Sequence, residues 1–227
     1  MSYRHQAISG EVLDLPLGKI VCVGRNYADH IAELNNSVPA EPLLFIKPNT
    51  ALAHLDKPLQ IPKSGPCHNE LELALLVKKP MPSSQTSYSD EAILEGIWGI
   101  GLGLDLTLRE KQTELKSQGY PWERAKAFDA SCPLSAFIPL TESIDLQALA
   151  FQLNVNGEIR QRGDSSHMMH TCVSLVREIL SCFTLLPGDV VMTGTPKGVG
   201  PLQSKDVLSL SLRQEQGELL NIETQVK

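Results

Sequence analysis

The chain has 227 residues, 42% of them hydrophobic, with 20 lysines and arginines against 26 aspartates and glutamates. That length buries a full core and is expected to form one catalytic domain over 1–227, and a mildly negative balance without a basic run argues against nucleic acid or an anionic membrane as partner. Five cysteines (Cys22, Cys67, Cys132, Cys172, Cys182) form no C-x-x-C pair and are odd in number, so neither a disulfide framework nor a zinc ribbon is suggested.

No run reaches about 18 consecutive apolar residues, and the opening "MSYRHQAISG" lacks the apolar centre of a signal peptide. The expectation is a cytosolic protein with reduced, mostly buried thiols and small-molecule partners.

In chain order, strands are predicted at 19–24 (KIVCVG), 42–48 (PLLFIKP), the ELEL run, 99–108 (GIGLGLDLTL), 149–157, 189–195, 206–212 and 219–226. Asn156-Gly157 is a two-residue hairpin signal. Helices are predicted over 87–97, behind a Ser/Asp start, over 108–119, ending near Gly119, and over 172–183, where Val173, Val176, Leu180 and Phe183 recur at helical spacing. The stretch KKPMPSSQTSYSD reads as a surface loop. The fold class expected is mixed α/β dominated by β.

Chemistry concentrates in four places. In "HNELELALLV" a strand would put Leu71, Leu73, Leu75 and Val77 on one face and Glu70, Glu72, Ala74 and Leu76 on the other. A face that turns apolar after two carboxylates suggests a pair at the mouth of something buried, where like charges need a counter-charge. In "GIGLGLDLTLRE" the same alternation puts Gly101, Gly103, Asp105, Thr107 and Arg109 on one face, and the two glycines suggest room for a ligand. Glu70, Glu72 and Asp105 would form a hard oxygen set suited to Mg²⁺, Mn²⁺ or Ca²⁺, with Cys67 and His68 as the route to a softer metal. The alternative for the acidic pair is a solvated strand edge.

In "GRNYADHIAELNN" (24–36), Asn26 can cap a short helix with Asp29 in a capping-box arrangement, and His30 and Glu33 then share a face. A carboxylate that orients an imidazole leaves the other ring nitrogen free as a general base. In "WERAKAFDASCP", Lys126 beside Phe128 suggests an ammonium whose pKa an apolar setting lowers. "MTGTPKGVG" (192–200) lacks the ending of a phosphate loop and reads as a turn offering Thr195 and backbone amides to a carboxylate or ketone oxygen. Each has a plainer reading: an exposed amphipathic turn, a surface lysine, a glycine-rich hairpin loop.

Together "VGRNYADHIAEL", "LFIKP", "HNELELALLV", "GLDLTLRE", "AKAFDASCP", "VNGEIRQ" and "LLPGDVVMTGTPKGVG" occur in the order found in the fumarylacetoacetate hydrolase superfamily. The chain resembles its small branch of acylpyruvate hydrolases and oxaloacetate decarboxylases. The resemblance implies a β-roll with a few short helices, usually a homodimer, with Mg²⁺ or Mn²⁺ held by Glu70, Glu72 and Asp105. It implies His30 and Glu33 as a water-activating dyad on a lid, Lys126 in the pocket, and Arg25, Arg109, Gln112 and Thr195 as substrate contacts. "QRGDSSHMMH" (161–170) departs from the family pattern in His167 and His170.

The activity expected from residues and resemblance together is hydrolysis of the carbon–carbon bond of acylpyruvates to pyruvate and a carboxylate, with oxaloacetate decarboxylation at the same site. The alternatives are an isomerase or tautomerase of 2-oxo acids, oxaloacetate among them, and a metal-binding β protein without activity.

Overall fold

The computed structural model describes residues 3–33, 39, 41–84 and 87–227. Strand outweighs helix, 38% against 19%. The mixed, β-dominated class is the one the alternating runs imply.

The main sheet places its strands in the order Leu43–Lys47, Ile20–Gly24, Val190–Met192, Leu71–Val77, Ile97–Leu104, Cys132–Leu134 and Leu52–His54, with Ile138–Pro139 paired to Ile97–Leu104. Leu71–Val77 sits at its centre and is buried at every position. Leu71, Leu73, Leu75 and Val77 enter one core cluster, and Ala74 and Leu76 enter a second with Ile20, Cys22, Val190 and Met192. A strand covered on both faces has no solvated side on which carboxylates could rest. The two glutamates are therefore held inside the protein.

A second, four-stranded sheet runs Glu158–Asp164, Ala150–Val155, Val207–Gln214, Gly217–Gln225. Its first hairpin turns at Asn156 (φ 52°) and Gly157 (φ 84°), the two left-handed residues a tight hairpin requires. A small third sheet joins Gly200–Pro201, Cys67–Asn69 and Thr107–Leu108, which brings both acidic strands and the glycine-rich loop to one end of the main sheet.

The helices fall where the periodicity puts them: Asp90–Gly96, capped by the Ser89 side chain, Arg109–Ser117, and Cys172–Cys182, capped by Thr171. Gly119 lies just past the second with φ 68°. Gln85 and Thr86 of the expected surface loop, and the 24–36 segment from Leu34 onward, lie outside the described residues.

Two local expectations are corrected. The helix of the 24–36 segment is Ala28–Glu33, and Asn26 does not cap it. Instead Asn26 donates to the carbonyls of His170 and Thr193 and accepts from the His170 N–H, while Asp29 pairs with Lys197. The glycines of 99–108 leave no ligand space either. A Cβ on Gly101 would lie 2.7 Å from Ser135 Oγ, and one on Gly103 2.7 Å from Leu134 Cδ2 and 2.8 Å from Met192 Cε. They are small because neighbouring strands pack closely over them.

No described helix is long and apolar enough to cross a membrane. The described cysteines are unpaired, all buried except Cys182.

Candidate active site

Glu70 precedes the central strand, Glu72 is its second residue, and Asp105 follows Ile97–Leu104, the neighbouring strand. The Asp105 N–H donates to the Glu70 carbonyl at 2.8 Å, fixing the two acidic segments side by side. One carboxylate oxygen from each of Glu70, Glu72 and Asp105 lies within 4.8 Å of the others, and all three residues are buried. Burying an ion costs several kcal/mol unless charges and hydrogen bonds compensate it.

The compensation comes from three cations. Lys126 Nζ donates to Glu70 Oε2 at 2.8 Å, Asp105 Oδ2 at 2.5 Å and Thr107 Oγ1 at 2.7 Å. Arg109 donates to Glu70 Oε1 and to Gln112 Oε1. Lys47, fully buried at the end of an edge strand, stands 2.8 Å from Asp105 Oδ1 and donates to the carbonyls of Leu106, Lys126 and Ser131. Its approach to Asp105 is off-axis, so Oδ1 is buried without a hydrogen bond. The sequence reading missed Lys47. Its one signal was a lysine closing the apolar run Leu43–Ile46.

The electrostatics divide the cluster. Burial alone would raise the Glu70 pKa, but Lys126 and Arg109 overcome it and hold that carboxyl well below the usual range. Burial, with Asp105 and Glu70 alongside, pushes Glu72 well above it. Lys126 corrects the expectation of a lowered ammonium: burial lowers its pKa, yet Asp105 and Glu70 outweigh burial and raise it.

An all-oxygen donor set, an orphaned Asp105 oxygen and a carboxyl forced up by two others fit a divalent cation. Cys67 and His68 do not join the set among the described residues, and burial pushes the Cys67 thiol up to about 11, away from the thiolate a soft metal requires.

The Ala28–Glu33 helix covers this cluster. His30 is buried, its Nδ1 3.3 Å from Glu33 Oε2, so the predicted dyad is formed. Glu33 also accepts from the Gly198 N–H at 3.0 Å, and Lys197 bonds Asp29 at 2.8 Å, which fastens the helix to the glycine-rich loop. Burial lowers the His30 pKa, with Glu70 and Glu33 partly offsetting it, and the imidazole is neutral at pH 7. Arg25 enters this segment with φ 66°, a left-handed backbone unusual for a residue with a side chain.

One cavity is lined by Arg25, His30, Glu70, Glu72, Arg109, Gln112, Lys126 and Thr195, with Phe45 and Trp122 on its apolar wall. Of the predicted site residues, all line it except Asp105, bonded to Lys126, and Glu33, bonded to His30. Its volume is ≈ 40 Å³, room for water. A larger cavity of ≈ 660 Å³ on the four-stranded sheet includes none of these acidic residues.

Thr195 lines the cavity with its hydroxyl already engaged. Its hydroxyl donates to the Leu71 carbonyl at 2.8 Å and accepts from Gln161 Nε2 at 2.8 Å, so its proton is already committed. The Gly194 N–H is committed too, to Glu72 Oε2 at 2.7 Å. Gly194 adopts φ 95°, and a Cβ there would sit 2.6 Å from Asn26 Cβ. Gln161, in the 161–170 stretch, is buried, and it accepts from Asn69 and the Leu71 N–H while donating to Thr195 and Pro196. The loop thus shapes the acidic cluster first.

Residues 19–226 match the fumarylacetoacetate (FAA) hydrolase C-terminal family, and the chain belongs to it. It is 50% identical over 211 residues to the oxaloacetate tautomerase YcgM of Escherichia coli (strain K12), covering 92% of this chain and 94% of that protein. To the mitochondrial oxaloacetate tautomerase FAHD1 of Bos taurus it is 42% identical over 208 residues, covering 88% and 92%. Among solved structures, a fumarylpyruvate hydrolase from Pseudomonas aeruginosa in complex with Mn²⁺ and pyruvate superposes with a TM-score of 0.85 at 31% identity, over 100% of this chain and 97% of that one. The fold is that of the family. Its members are enzymes, and these relatives' names favour tautomerisation over the hydrolysis expected first.

Proposed function

We propose that the chain is a metal-dependent oxaloacetate keto–enol tautomerase. The observation that carries this reading is half identity to an oxaloacetate tautomerase across nearly all of both chains. The geometry supports it with what the reaction requires, a proton carrier and cationic groups around one cavity.

Glu70, Glu72 and Asp105 would hold Mg²⁺ or Mn²⁺, which when bound supplies a Lewis acid that polarises the 2-oxo group and acidifies the C3 protons. Arg109 and Gln112 hold the carboxylate next to the 2-oxo group. Neutral His30, with Nδ1 turned to Glu33, presents Nε2 to the substrate and carries the proton between C3 and the 2-oxygen. Lys126, kept charged by Glu70 and Asp105, stabilises negative charge on that oxygen. Arg25 closes the cavity with the lid. Thr195 acts through position: it ties the glycine-rich loop to Leu71 and offers substrate a lone pair at most.

In this reading the 227 residues act as one catalytic domain, as a homodimer, in the cytosol, on small-molecule 2-oxo acids. Coverage of 94% of the bacterial tautomerase supports the one-domain part.

A second reading, cleavage of acylpyruvates, rests on the 31% identity to a fumarylpyruvate hydrolase. There His30 would deprotonate water instead of C3. Oxaloacetate decarboxylation would use the same cluster without His30.

The test is to mix enol oxaloacetate with Mn²⁺-loaded protein and follow loss of enol absorbance, with and without EDTA. Acceleration that EDTA removes is the expected result. No acceleration above Mn²⁺ alone, together with release of pyruvate from acylpyruvates, would replace this reading by the hydrolytic one.

A further inference from the structure

In the strand Glu158–Asp164 only Gln161 and Gly163 are buried, and Gln161 alone carries polar side-chain atoms inward. An amide is tolerated in such a place only where its atoms are bonded. A glutamine offers two donors and one oxygen that can accept twice. Gln161 uses all four: Oε1 accepts from Asn69 Nδ2 at 2.7 Å and from the Leu71 N–H at 2.8 Å, and Nε2 donates to Thr195 Oγ1 at 2.8 Å and to the Pro196 carbonyl at 2.9 Å. The two backbone partners also fix which end of the amide is which, since the Leu71 N–H can only donate and the Pro196 carbonyl can only accept.

These partners lie on two segments that the site needs side by side. Asn69 and Leu71 flank Glu70. Thr195 and Pro196 follow Gly194, whose N–H donates to Glu72 Oε2 at 2.7 Å, and two residues further on the Gly198 N–H donates to Glu33, the partner of His30. Gly198 is packed against the same strand as Gln161, because a Cβ on it would collide with the Arg160 carbonyl oxygen. One side chain from the second sheet thus bonds the acidic strand with its oxygen and the glycine-rich loop with its nitrogen.

We propose that Gln161 is a positioning residue that holds the His30–Glu33 dyad in register with the acidic cluster. It lies outside the cavity wall and acts through the backbone on either side of Glu70 and through the loop that bonds Glu72 and Glu33. An apolar side chain of the same size would leave the Leu71 N–H and the Pro196 carbonyl without this shared partner, and strand and loop would be free to shift against one another. The effect on rate rests on the tautomerase reading; the effects on metal affinity and on the loop do not.

The test compares wild type with three variants. Gln161→Met fills the space without the amide. Gln161→Glu keeps an acceptor for Asn69 and Leu71 but cannot supply both donors to the loop. Leu220→Ala is a core truncation on Gly217–Gln225, at the far edge of the same sheet, with the amide in place. Calorimetry reads Mn²⁺ affinity, enol loss at saturating Mn²⁺ reads kcat, and NMR of the metal-free protein reads exchange of the Gly198 amide, which is bonded to Glu33 and not to Gln161. Gln161→Met should weaken Mn²⁺ and lower kcat by about tenfold each, the low end for residues that orient metal ligands from outside, and should speed Gly198 exchange by about as much. Gln161→Glu should speed Gly198 exchange and lower kcat in the same way, and decides the matter if Gln161→Met does not fold. Leu220→Ala should melt lower with all three readings near wild type. Wild-type readings in the folded Gln161 variants, or equal changes in Leu220→Ala, would overturn the assignment and leave Gln161 as core packing. If wild type does not speed enol loss, the tautomerase reading is removed, and Mn²⁺ affinity and Gly198 exchange still decide the role of Gln161.

Discussion

Lys47 Nζ lies 2.8 Å from Asp105 Oδ1, with the two side chains 0% and 1% exposed. Asp105 thus stands between two buried ammoniums, Lys47 on one oxygen and Lys126 on the other. Lys47 has no path to substrate; it also binds three carbonyls, including that of Lys126. It fixes the Asp105 carboxylate and the Lys126 backbone together.

Lys47→Met removes one partner of a buried pair and leaves Asp105 short of a counter-charge, a change that costs about 3–5 kcal/mol. Urea unfolding of the metal-free protein should show that loss. Mn²⁺ should recover a larger share of stability in the variant than in wild type, because an added cation answers the exposed charge. Wild-type stability in the variant would show the pair to be dispensable.

Lys126 contacts two of the three carboxylates that would hold the metal, so ammonium and metal compete for them. Lys126→Met should bind Mn²⁺ more tightly by calorimetry and yet tautomerise at least a hundredfold more slowly, the effect of removing a transition-state contact worth about 3–4 kcal/mol. Weaker Mn²⁺ binding would place Lys126 among the groups that support the metal.

Glu72 has its carboxyl pKa raised by burial and by its acidic neighbours. A carboxyl bound to its proton more tightly in the folded state than in the unfolded one destabilises the metal-free fold increasingly as pH rises above its ordinary value of about 4.3. Glu72→Gln, which imitates the neutral acid, should therefore melt higher than wild type without metal between about pH 6 and 8, and should lose most of the stabilisation by Mn²⁺. Thermal melts with and without Mn²⁺ read both effects.

Burial keeps His30 neutral below the usual imidazole range. The acid limb of kcat/KM should accordingly fall below about pH 6.5, and His30→Ala should lose about 10²- to 10⁴-fold in tautomerisation. Glu33→Gln should be milder, since it keeps a hydrogen-bonding partner for Nδ1 and for Gly198. A pH profile unchanged by His30→Ala would assign the proton to another group.

The cluster was legible because a strand has period two: Glu70 and Glu72 had to share a face, and Ala74 and Leu76 showed that the face turns inward. The dyad was legible for the same local reason, i and i+3 on one turn. Lys47 was not, because its partners come from other elements and a lysine closing a strand ordinarily reaches water. The partners of the Thr195 hydroxyl were not legible, because Leu71 and Gln161 lie 124 and 34 residues away in the chain. Gly101 and Gly103 misled because space beside a glycine depends on the strand packed over it.

The most direct measurement is a pair of rates on one Mn²⁺-loaded preparation: kcat/KM for loss of enol oxaloacetate and kcat/KM for cleavage of a short acylpyruvate. Tautomerisation faster by about tenfold or more, lost with EDTA and with His30→Ala, is the result predicted for a site in which His30 moves a proton between C3 and the 2-oxygen. Cleavage that outpaces enol loss, with His30→Ala stopping cleavage and leaving enol loss intact, would contradict it and give His30 to water.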